Sequence, residues 1–243
     1  MPRSVPVPPD LYHALASDAW FASCPPALQT VLLTLGRMWV LGDGETLFSR
    51  GGEAQGLCCV MAGMLRIGAL QPDGSATLLA CIEPYQWLGE VSLMDDQPRT
   101  HNAVADGESS VLVVPQAALR AWLDANPAQW RDIGRLACSK LRAAFTVFEH
   151  MASLPLEQRL LQHLQLLARG YGMRRGPARQ HVRLTQEQLS LMLGVSRQSI
   201  NKALQALERQ GAISLRYGRI ELLQAVAGAE GVALGDGAAK AQL

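Results

Sequence analysis

Residues 184–211 read LTQEQLSLMLGVSRQSINKALQALERQG and predict two short helices joined by a tight turn. Thr185 is a suitable cap for the first helix, and Gln188, three residues later, is its capping-box partner. Gly194 supplies a turn position that a β-carbon would disfavour. Ser196 is of the residue type that caps the start of a helix. The stretch therefore predicts a helix-turn-helix.

The second helix of this pair has two chemically different faces. Its apolar residues recur at helical spacing and are expected to face a core: Ile200, Ala203, Leu204 and Leu207. Its polar and basic residues fall on the opposite side: Arg197, Gln198, Asn201 and Lys202. Arginine pairs with guanine and glutamine with adenine, so this outer face suits a DNA major groove. The alternative is a helical hairpin with a solvated polar face.

The sequence after this helix predicts a wing. Residues 212–215 and 220–223 are apolar runs that flank the basic tip Arg216-Tyr217-Gly218-Arg219, as in a two-stranded hairpin. Arginines at such a tip are suited to holding phosphates.

Charge is distributed unevenly along the 243 residues, whose net charge is only +1. Residues 1–151 contain 10 Lys and Arg against 15 Asp and Glu, whereas residues 152–243 contain 12 against 6. The length suffices for two domains. The basic excess coincides with the predicted helix-turn-helix, as nucleic-acid binding requires.

Between residues 38 and 115, short apolar runs alternate with glycine-containing turns, which predicts a small antiparallel barrel or sandwich. A long helix follows. One apolar stripe along it is interrupted by Lys140: Trp130, Ile133, Ala137, Ala144, Val147 and Met151. A second apolar face is added by Leu136, Leu141, Phe145 and Phe148. One face can pack on the barrel while the other meets the same helix of a second copy. The alternative is a single core stripe of a monomer.

Several classes of protein are disfavoured by what the sequence does not contain. The five cysteines are scattered without a C-x-x-C pattern, which argues against a disulfide framework or a zinc site. No Ser/His/Asp set, metal cluster or P-loop is recognisable, so we expect neither a catalytic site nor an enzyme. No signal segment and no apolar run of membrane-spanning length is recognisable, so we expect a cytoplasmic protein without a membrane partner.

Motifs in both halves resemble the cyclic-AMP receptor protein/FNR (Crp/Fnr) family of bacterial transcription regulators over about residues 20–223. The barrel part carries GETLF at 44–48, GEVSL at 89–93 and DDQPRT at 95–100, and the second part carries VSRQSI at 195–200 with Lys202. The resemblance implies an α+β fold. Its parts are an antiparallel β-barrel of the cyclic-nucleotide-binding, jelly-roll type, a long dimerisation helix and a C-terminal winged helix-turn-helix.

The resemblance also implies boundaries and partners. We expect a flexible N-terminal segment over 1–19, an effector-binding barrel over 20–126, the dimerisation helix over 127–152, the DNA-binding domain over 153–224 and a disordered tail over 225–243. The expected partners are a second copy of the chain, an inverted-repeat operator in double-stranded DNA, and RNA polymerase. A cyclic-nucleotide sensor that acts on a protein partner is the alternative function.

The family pattern also assigns site residues. Arg197, Gln198 and Lys202 match base-contacting positions, with Asn201 beside them on the same face. Thr185, Ser196 and Ser199 are implied phosphate contacts.

In the barrel, the implied effector site is Gly89, Glu90, Arg99 and Thr100, where Glu90 would accept a ribose hydroxyl and Arg99 would pair with a cyclic phosphate. The implied effector is cyclic AMP, cyclic GMP or cyclic di-GMP. The alternative is a barrel without nucleotide, in which Glu90 and Arg99 form a buried structural salt bridge. Apolar Ala144 and Phe145 stand where the cyclic-AMP receptor itself has base-contacting hydroxyls.

Other sensing chemistries are less well matched. An iron–sulfur cluster would need an N-terminal cysteine cluster, and only Cys24 lies early. Haem would need an axial ligand such as His101 or Cys81. A thiol switch through Cys58 and Cys59 conflicts with the opposite faces that adjacent strand residues occupy.

Overall fold

The computed structural model describes residues 3–5, 11–70, 76–171, 174 and 177–223. The strands are β1 (Arg3–Val5), β2 (Arg37–Leu41), β3 (Thr46–Phe48), β4 (Gly56–Ala62), β5 (Leu65–Leu70), β6 (Ala76–Ile82), β7 (Trp87–Leu88), β8 (Asn102–Ala105), β9 (Ser109–Pro115), β10 (His181–Val182), β11 (Ile213–Arg216) and β12 (Arg219–Leu222). The helices are α1 (Leu11–Leu15), α2 (Ala19–Ser23), α3 (Pro26–Leu35), α4 (Glu90–Asp95), α5 (Gln116–Ala125), α6 (Trp130–Ser153), α7 (Leu156–Ala168), α8 (Gln186–Leu193) and α9 (Arg197–Arg209).

The N-terminal domain is the predicted antiparallel barrel, built from two sheets. One sheet has the strand order β1-β2-β9-β4-β7 and the other β3-β8-β5-β6, and the paired strands run antiparallel. Apolar side chains from both sheets form one core, which includes Leu41, Cys58 and Val111. Cys59 belongs to a different core on the other face of β4, so adjacent Cys58 and Cys59 do point to opposite sides.

The helices around the barrel form a second core, and within the described residues 11–19 this core contradicts the expectation of a flexible segment over 1–19. Leu11 and Leu15 of α1 are buried in it, because their spacing of four places both on one helix face. Strand β1 also pairs with β2. Trp20 donates from Nε1 to the carbonyl oxygen of Asp132 at 2.6 Å and so connects this region to α6. The predicted tail over 225–243 lies outside the described residues.

The long helix α6 runs from Trp130 to Ser153, whereas the expected range was 127–152, and Pro127–Gln129 form a 3-10 turn before it. Leu154 has extended backbone angles and Pro155 directly precedes α7. Within α6, Ile133 and Leu136 are buried against the barrel. The side chains of Leu141, Phe145 and Phe148 remain 52%, 59% and 64% exposed in the single chain. This exposed apolar face is the one expected to meet a second copy, which stays a prediction.

The C-terminal domain is the predicted winged helix-turn-helix with its own core. Thr185 and Gln188 form the complete capping box of α8, Gly194 has φ +65° at the turn, and Ser196 caps α9. The apolar face of α9 is buried with α7 and the sheet β10-β12-β11. Strands β11 and β12 pair from Ile213 with Leu222 to Arg216 with Arg219, which confirms the predicted wing.

The two domains are in direct contact. Helix α8 lies against β6, the edge strand of its sheet. Gln188 donates from Nε2 to Asp106 Oδ2 at 2.7 Å, and Arg179 Nη1 lies 2.6 Å from Glu83 Oε2.

Among the helices that the structure describes, none is both long and apolar enough to cross a membrane.

Candidate effector cavity and DNA interface

A cavity of about 410 Å³ lies between the barrel, α6 and the start of the C-terminal domain. Its size falls in the range typical of small-molecule sites. It brings together the four predicted effector residues, which line it or border it: Gly89, Glu90, Arg99 and Thr100. The remaining wall is mostly apolar, with Ile67 and Leu79 from the barrel and Val147 and Phe148 from α6.

Arg99 is the buried cation of this cavity. Its backbone is held by Gly51 and Gly52, with hydrogen bonds of 2.8 and 3.0 Å. Its guanidinium lies 4.3 Å from the centre of the Phe48 ring, and Nη2 donates to the carbonyl oxygen of Gly56 at 2.6 Å. Its Nε has no hydrogen-bond partner among the described residues. Burial lowers the pKa of Arg99, yet an arginine stays protonated in proteins. A buried, incompletely paired guanidinium is suited to binding an anion.

Gly89 makes room for this arginine. It has φ +101° directly before α4, and a β-carbon added there would lie 2.5 Å from Arg99 Nη1 and 2.6 Å from the carbonyl oxygen of Gly56. Both the backbone conformation and the close approach therefore require glycine at this position.

Glu90 does not pair with Arg99, so the alternative of a structural Glu–Arg salt bridge is wrong. Its partner is Lys140, whose Nζ lies 2.6 Å from Glu90 Oε2. The carboxylate is buried, while the Lys140 side chain is 24% exposed. Lys140 was not predicted as a site residue. One sequence feature could have identified it: Lys140 is the one charged residue within the apolar stripe of the long helix. In the structure, α6 turns this residue towards α4.

Thr100 and His101 line the cavity mouth side by side. Thr100 is exposed, and its Oγ1 lies 3.0 Å from His101 Nδ1. Burial, together with the charge of Arg50, lowers the pKa of His101, so the ring is neutral at pH 7. His101 therefore adds hydrogen-bonding capacity to the cavity without adding positive charge. Ala144 also lines the cavity and offers no hydrogen bond.

The predicted DNA-contacting residues differ in exposure. Arg197, Gln198 and Lys202 are exposed on α9 and free to approach a groove. Asn201 is half-buried, and its Oδ1 accepts a hydrogen bond from Gln186 Nε2 at 3.3 Å. Asn201 therefore connects α9 to α8, a packing role that the outer-face pattern did not reveal.

The three predicted phosphate contacts serve as caps or cap partners. Ser196 Oγ accepts from the backbone N–H of Ser199 at 3.1 Å and lies 2.9 Å from Ser199 Oγ. Thr185 Oγ1 accepts from the backbone N–H of Gln188 at 3.1 Å. A hydroxyl that accepts a hydrogen bond keeps its own proton for donation. Thr185 and one serine of the Ser196–Ser199 pair can thus still donate to a phosphate.

The wing tip is exposed, and its charge is partly balanced. Arg216 and Arg219 both lie near Glu221, with N–O distances of 3.5 and 3.0 Å, and Tyr217 is fully exposed between them. Such surface ion pairs are weak. The arginines are therefore able to exchange Glu221 for a phosphate at low cost.

The buried thiols have no acidic character. Burial raises the pKa of Cys58 to about 11 and that of Cys81 to about 12, and it raises the pKa of Cys59 well above its usual value. Thiolate chemistry at neutral pH is disfavoured at these positions. The part of the chain that the structure describes contains no group of three His, Cys, Asp or Glu residues arranged to hold a metal ion.

Comparison with known families matches both domains. A family profile of the cyclic nucleotide-binding domain matches residues 39–126, and one of the Crp-like helix-turn-helix domain matches residues 158–227. The CRP-like cAMP-activated global transcriptional regulator of Mycobacterium tuberculosis is 30% identical over 173 residues, which are 71% of this chain and 77% of that protein. The cyclic AMP receptor protein of Thermus thermophilus is 27% identical, over 75% of this chain and 82% of that protein.

Solved structures share the fold. A CRP-family transcriptional regulator from Thermus thermophilus has a TM-score of 0.57 at 26% identity, covering 77% of this chain and 93% of that one. A c-di-GMP-responsive global regulator from Xanthomonas campestris has a TM-score of 0.63, covering 82% of this chain and all of that one. The latter is 18% identical and supports the fold alone.

Proposed function

The chain belongs to the family of CRP-like transcriptional regulators, and we propose that it is a homodimeric, sequence-specific DNA-binding regulator whose barrel binds an anionic effector of the cyclic-nucleotide class. The observation that carries the effector proposal is Arg99, a buried guanidinium facing a cavity of about 410 Å³. We propose that the domains of the chain meet at residues 126, 152 and 224 and that α1 belongs to the effector domain.

The chemistry of the cavity fits a cyclic nucleotide. Arg99 supplies the charge for the phosphate, and its Nε is without a protein partner in the described residues. Glu90 supplies an acceptor for a sugar hydroxyl, and the apolar wall of Val147 and Phe148 suits a base ring. Because Ala144 offers no hydrogen bond, base selectivity would come from other cavity residues. The similar Mycobacterium tuberculosis protein is described as cAMP-activated, which supports testing this nucleotide first.

The DNA proposal rests on α9 and on the exposed face of α6. Arg197, Gln198 and Lys202 would read bases in the major groove. The apolar face around Phe145 and Phe148 would be buried against the same face of a second copy. A two-fold dimer presents two α9 helices to an inverted repeat whose half-sites lie about 34 Å apart. We propose RNA polymerase as a further partner and the cytoplasm as the location.

A second candidate is a regulator of the same family whose barrel binds no nucleotide. The specific observation that favours it is the ion pair between Glu90 and Lys140, since it satisfies Glu90 within the protein. In this case Arg99 would keep Gly56 as its partner and serve the barrel structure.

Isothermal titration calorimetry separates the two candidates. The full chain is titrated with cyclic AMP, cyclic GMP and cyclic di-GMP, beside Arg99→Ala and the control Arg37→Ala, which removes an exposed cation outside the cavity. Binding that is lost in Arg99→Ala and kept in Arg37→Ala supports the effector proposal. Absence of heat with all three nucleotides would favour the nucleotide-free regulator.

A further inference from the structure

The effector cavity is closed on one side by the DNA-binding domain. His163 of α7 and Tyr171, which follows α7, both line it. Tyr171 packs against the core of each domain, so it lies at the junction between them. A ligand in this cavity would therefore meet side chains of both domains.

His163 is an unusual component of this wall. It is a buried polar residue, and its Nε2 has no hydrogen-bond partner in the described part of the chain. Burial, assisted by the charge of nearby His150, lowers its pKa to about 4. The ring is thus neutral at pH 7, and a buried polar atom without a partner is destabilising. Neutral imidazole pairs with neutral polar groups through one donor and one acceptor nitrogen.

Direct contacts hold α7 and its neighbours in this position. Gln188 is hydrogen-bonded to Asp106, and Arg179 is paired with Glu83 of the barrel. Helix α8 covers the edge strand β6 next to the cavity, whose wall includes Leu79 of that strand. Moving the DNA-binding domain away from the barrel would therefore remove His163 and Tyr171 from the cavity wall.

We propose that His163 is an effector-binding residue supplied by the DNA-binding domain, which hydrogen-bonds to a neutral polar group of the ligand, a base edge or a hydroxyl. This inference rests on the proposed effector function. Arg99 in the barrel would hold the anionic group of the same ligand. The DNA-binding domain would then sense the effector through its own side chain as well as through α6, and effector binding would favour the docked arrangement of the two domains.

The test measures cyclic AMP affinity by calorimetry in the full chain. His163→Leu removes the hydrogen-bonding nitrogens, His163→Gln places an amide nitrogen near the position of Nε2, and Gln162→Leu is the control on the exposed side of α7. We expect the Kd to rise about tenfold or more in His163→Leu, in line with the loss of one buried hydrogen bond. His163→Gln should recover much of this loss, and Gln162→Leu should bind as the unmodified chain does.

The outcomes distinguish this inference from the function on which it rests. If the unmodified chain binds cyclic AMP and His163→Leu binds equally well, the inference is overturned and the effector proposal stands. Equal weakening in His163→Leu and His163→Gln would assign the residue to packing and overturn it as well. If the unmodified chain binds none of cyclic AMP, cyclic GMP and cyclic di-GMP, both are overturned. Thermal unfolding without nucleotide checks that each variant is folded.

Discussion

Lys140 Nζ lies 2.6 Å from Glu90 Oε2, so an ion pair joins the long helix α6 to the short helix α4 at the candidate effector cavity. Glu90 is also the proposed acceptor for a sugar hydroxyl. A ligand that engages Glu90 therefore acts on a group that already holds α6. We therefore expect ligand binding at Glu90 to affect the helix proposed as the dimer interface.

Replacing Lys140 should show how much this ion pair contributes to the stability of the fold. Lys140→Met leaves the buried Glu90 carboxylate without its cation, and we expect the free energy of unfolding to fall by about 2 kcal/mol, less than for a fully buried pair because Lys140 is partly exposed. Urea unfolding measures the loss. Adding Glu90→Gln should restore most of the stability because the uncompensated charge is gone. If Lys140→Met and the double variant with Glu90→Gln were equally stable, the loss would not come from the unpaired Glu90 carboxylate.

A comparison of alanine variants at Gly89 and Gly107 should separate the effect of crowding from that of backbone strain. Both have positive φ, but a β-carbon at Gly89 would lie 2.5 Å from Arg99 Nη1, whereas one at Gly107 would have no atom of the described residues within 4 Å. Gly107→Ala should cost about 1 kcal/mol for the left-handed backbone alone. Gly89→Ala should cost more and also weaken nucleotide binding by displacing Arg99. Chemical denaturation and calorimetry on the two variants, side by side, test this difference.

A charge introduced at residue 188 should break the contact between the domains, and removal of the opposing charge should restore it. Gln188→Glu keeps the capping box of α8, because glutamate also serves at this position. It places a carboxylate beside that of Asp106, where the present hydrogen bond is 2.7 Å long. We expect faster hydrogen exchange in the edge strand β6, which α8 covers. The double variant Gln188→Glu with Asp106→Asn should restore protection, because the new amide donates to the carboxylate. Unchanged exchange in the single variant would argue against domain docking.

The recognition residues should differ in how their loss affects DNA binding. Using an operator obtained by selection from random DNA, we expect Arg197→Ala to weaken binding by about 1–3 kcal/mol and to relax the preference at one base pair. Lys202→Ala removes another proposed base contact, so it should also weaken binding and should relax the preference at a different base pair. Arg209→Ala, at the far end of α9, is the control. Mobility shifts at several salt concentrations give these values.

His163 should make stability depend on pH. Its pKa falls from 6.5 to about 4 on folding, so between these values the unfolded chain binds a proton that the folded chain does not. Relative to its value above pH 6.5, the free energy of unfolding therefore falls progressively as the pH is lowered towards 4, by about 3 kcal/mol in total. The difference in unfolding free energy between the unmodified chain and His163→Leu should rise with pH across this window. A difference independent of pH would contradict the buried, neutral state.

Much of the DNA-binding domain could be predicted because its signals are local. The capping box of Thr185 and Gln188, the turn at Gly194 and the cap at Ser196 each depend on residues within a few positions of one another. The buried face of α9 follows from helical periodicity in the same way. The barrel could be predicted as a class, since its alternating runs and turns are also local.

The partners within the cavity could not be predicted in this way. Arg99 reaches Gly56 over 43 positions, and Lys140 reaches Glu90 over 50. Pairs so distant depend on how the sheets and α6 pack, which periodicity does not encode. The burial of Leu11 and Leu15 in the N-terminal segment could not be predicted for the same reason. Both leucines are buried only by the core that the barrel helices complete.

Gln188 contains both kinds of information in one side chain. Its Oε1 accepts from the backbone N–H of Thr185 at 2.8 Å, a bond that the sequence alone determines because three residues of helix bring the groups together. Its Nε2 donates to Asp106, which is 82 positions away, and only the tertiary structure decided this bond. The physical reason is that a local contact needs one turn of helix, whereas a contact between domains needs both cores to be folded and docked.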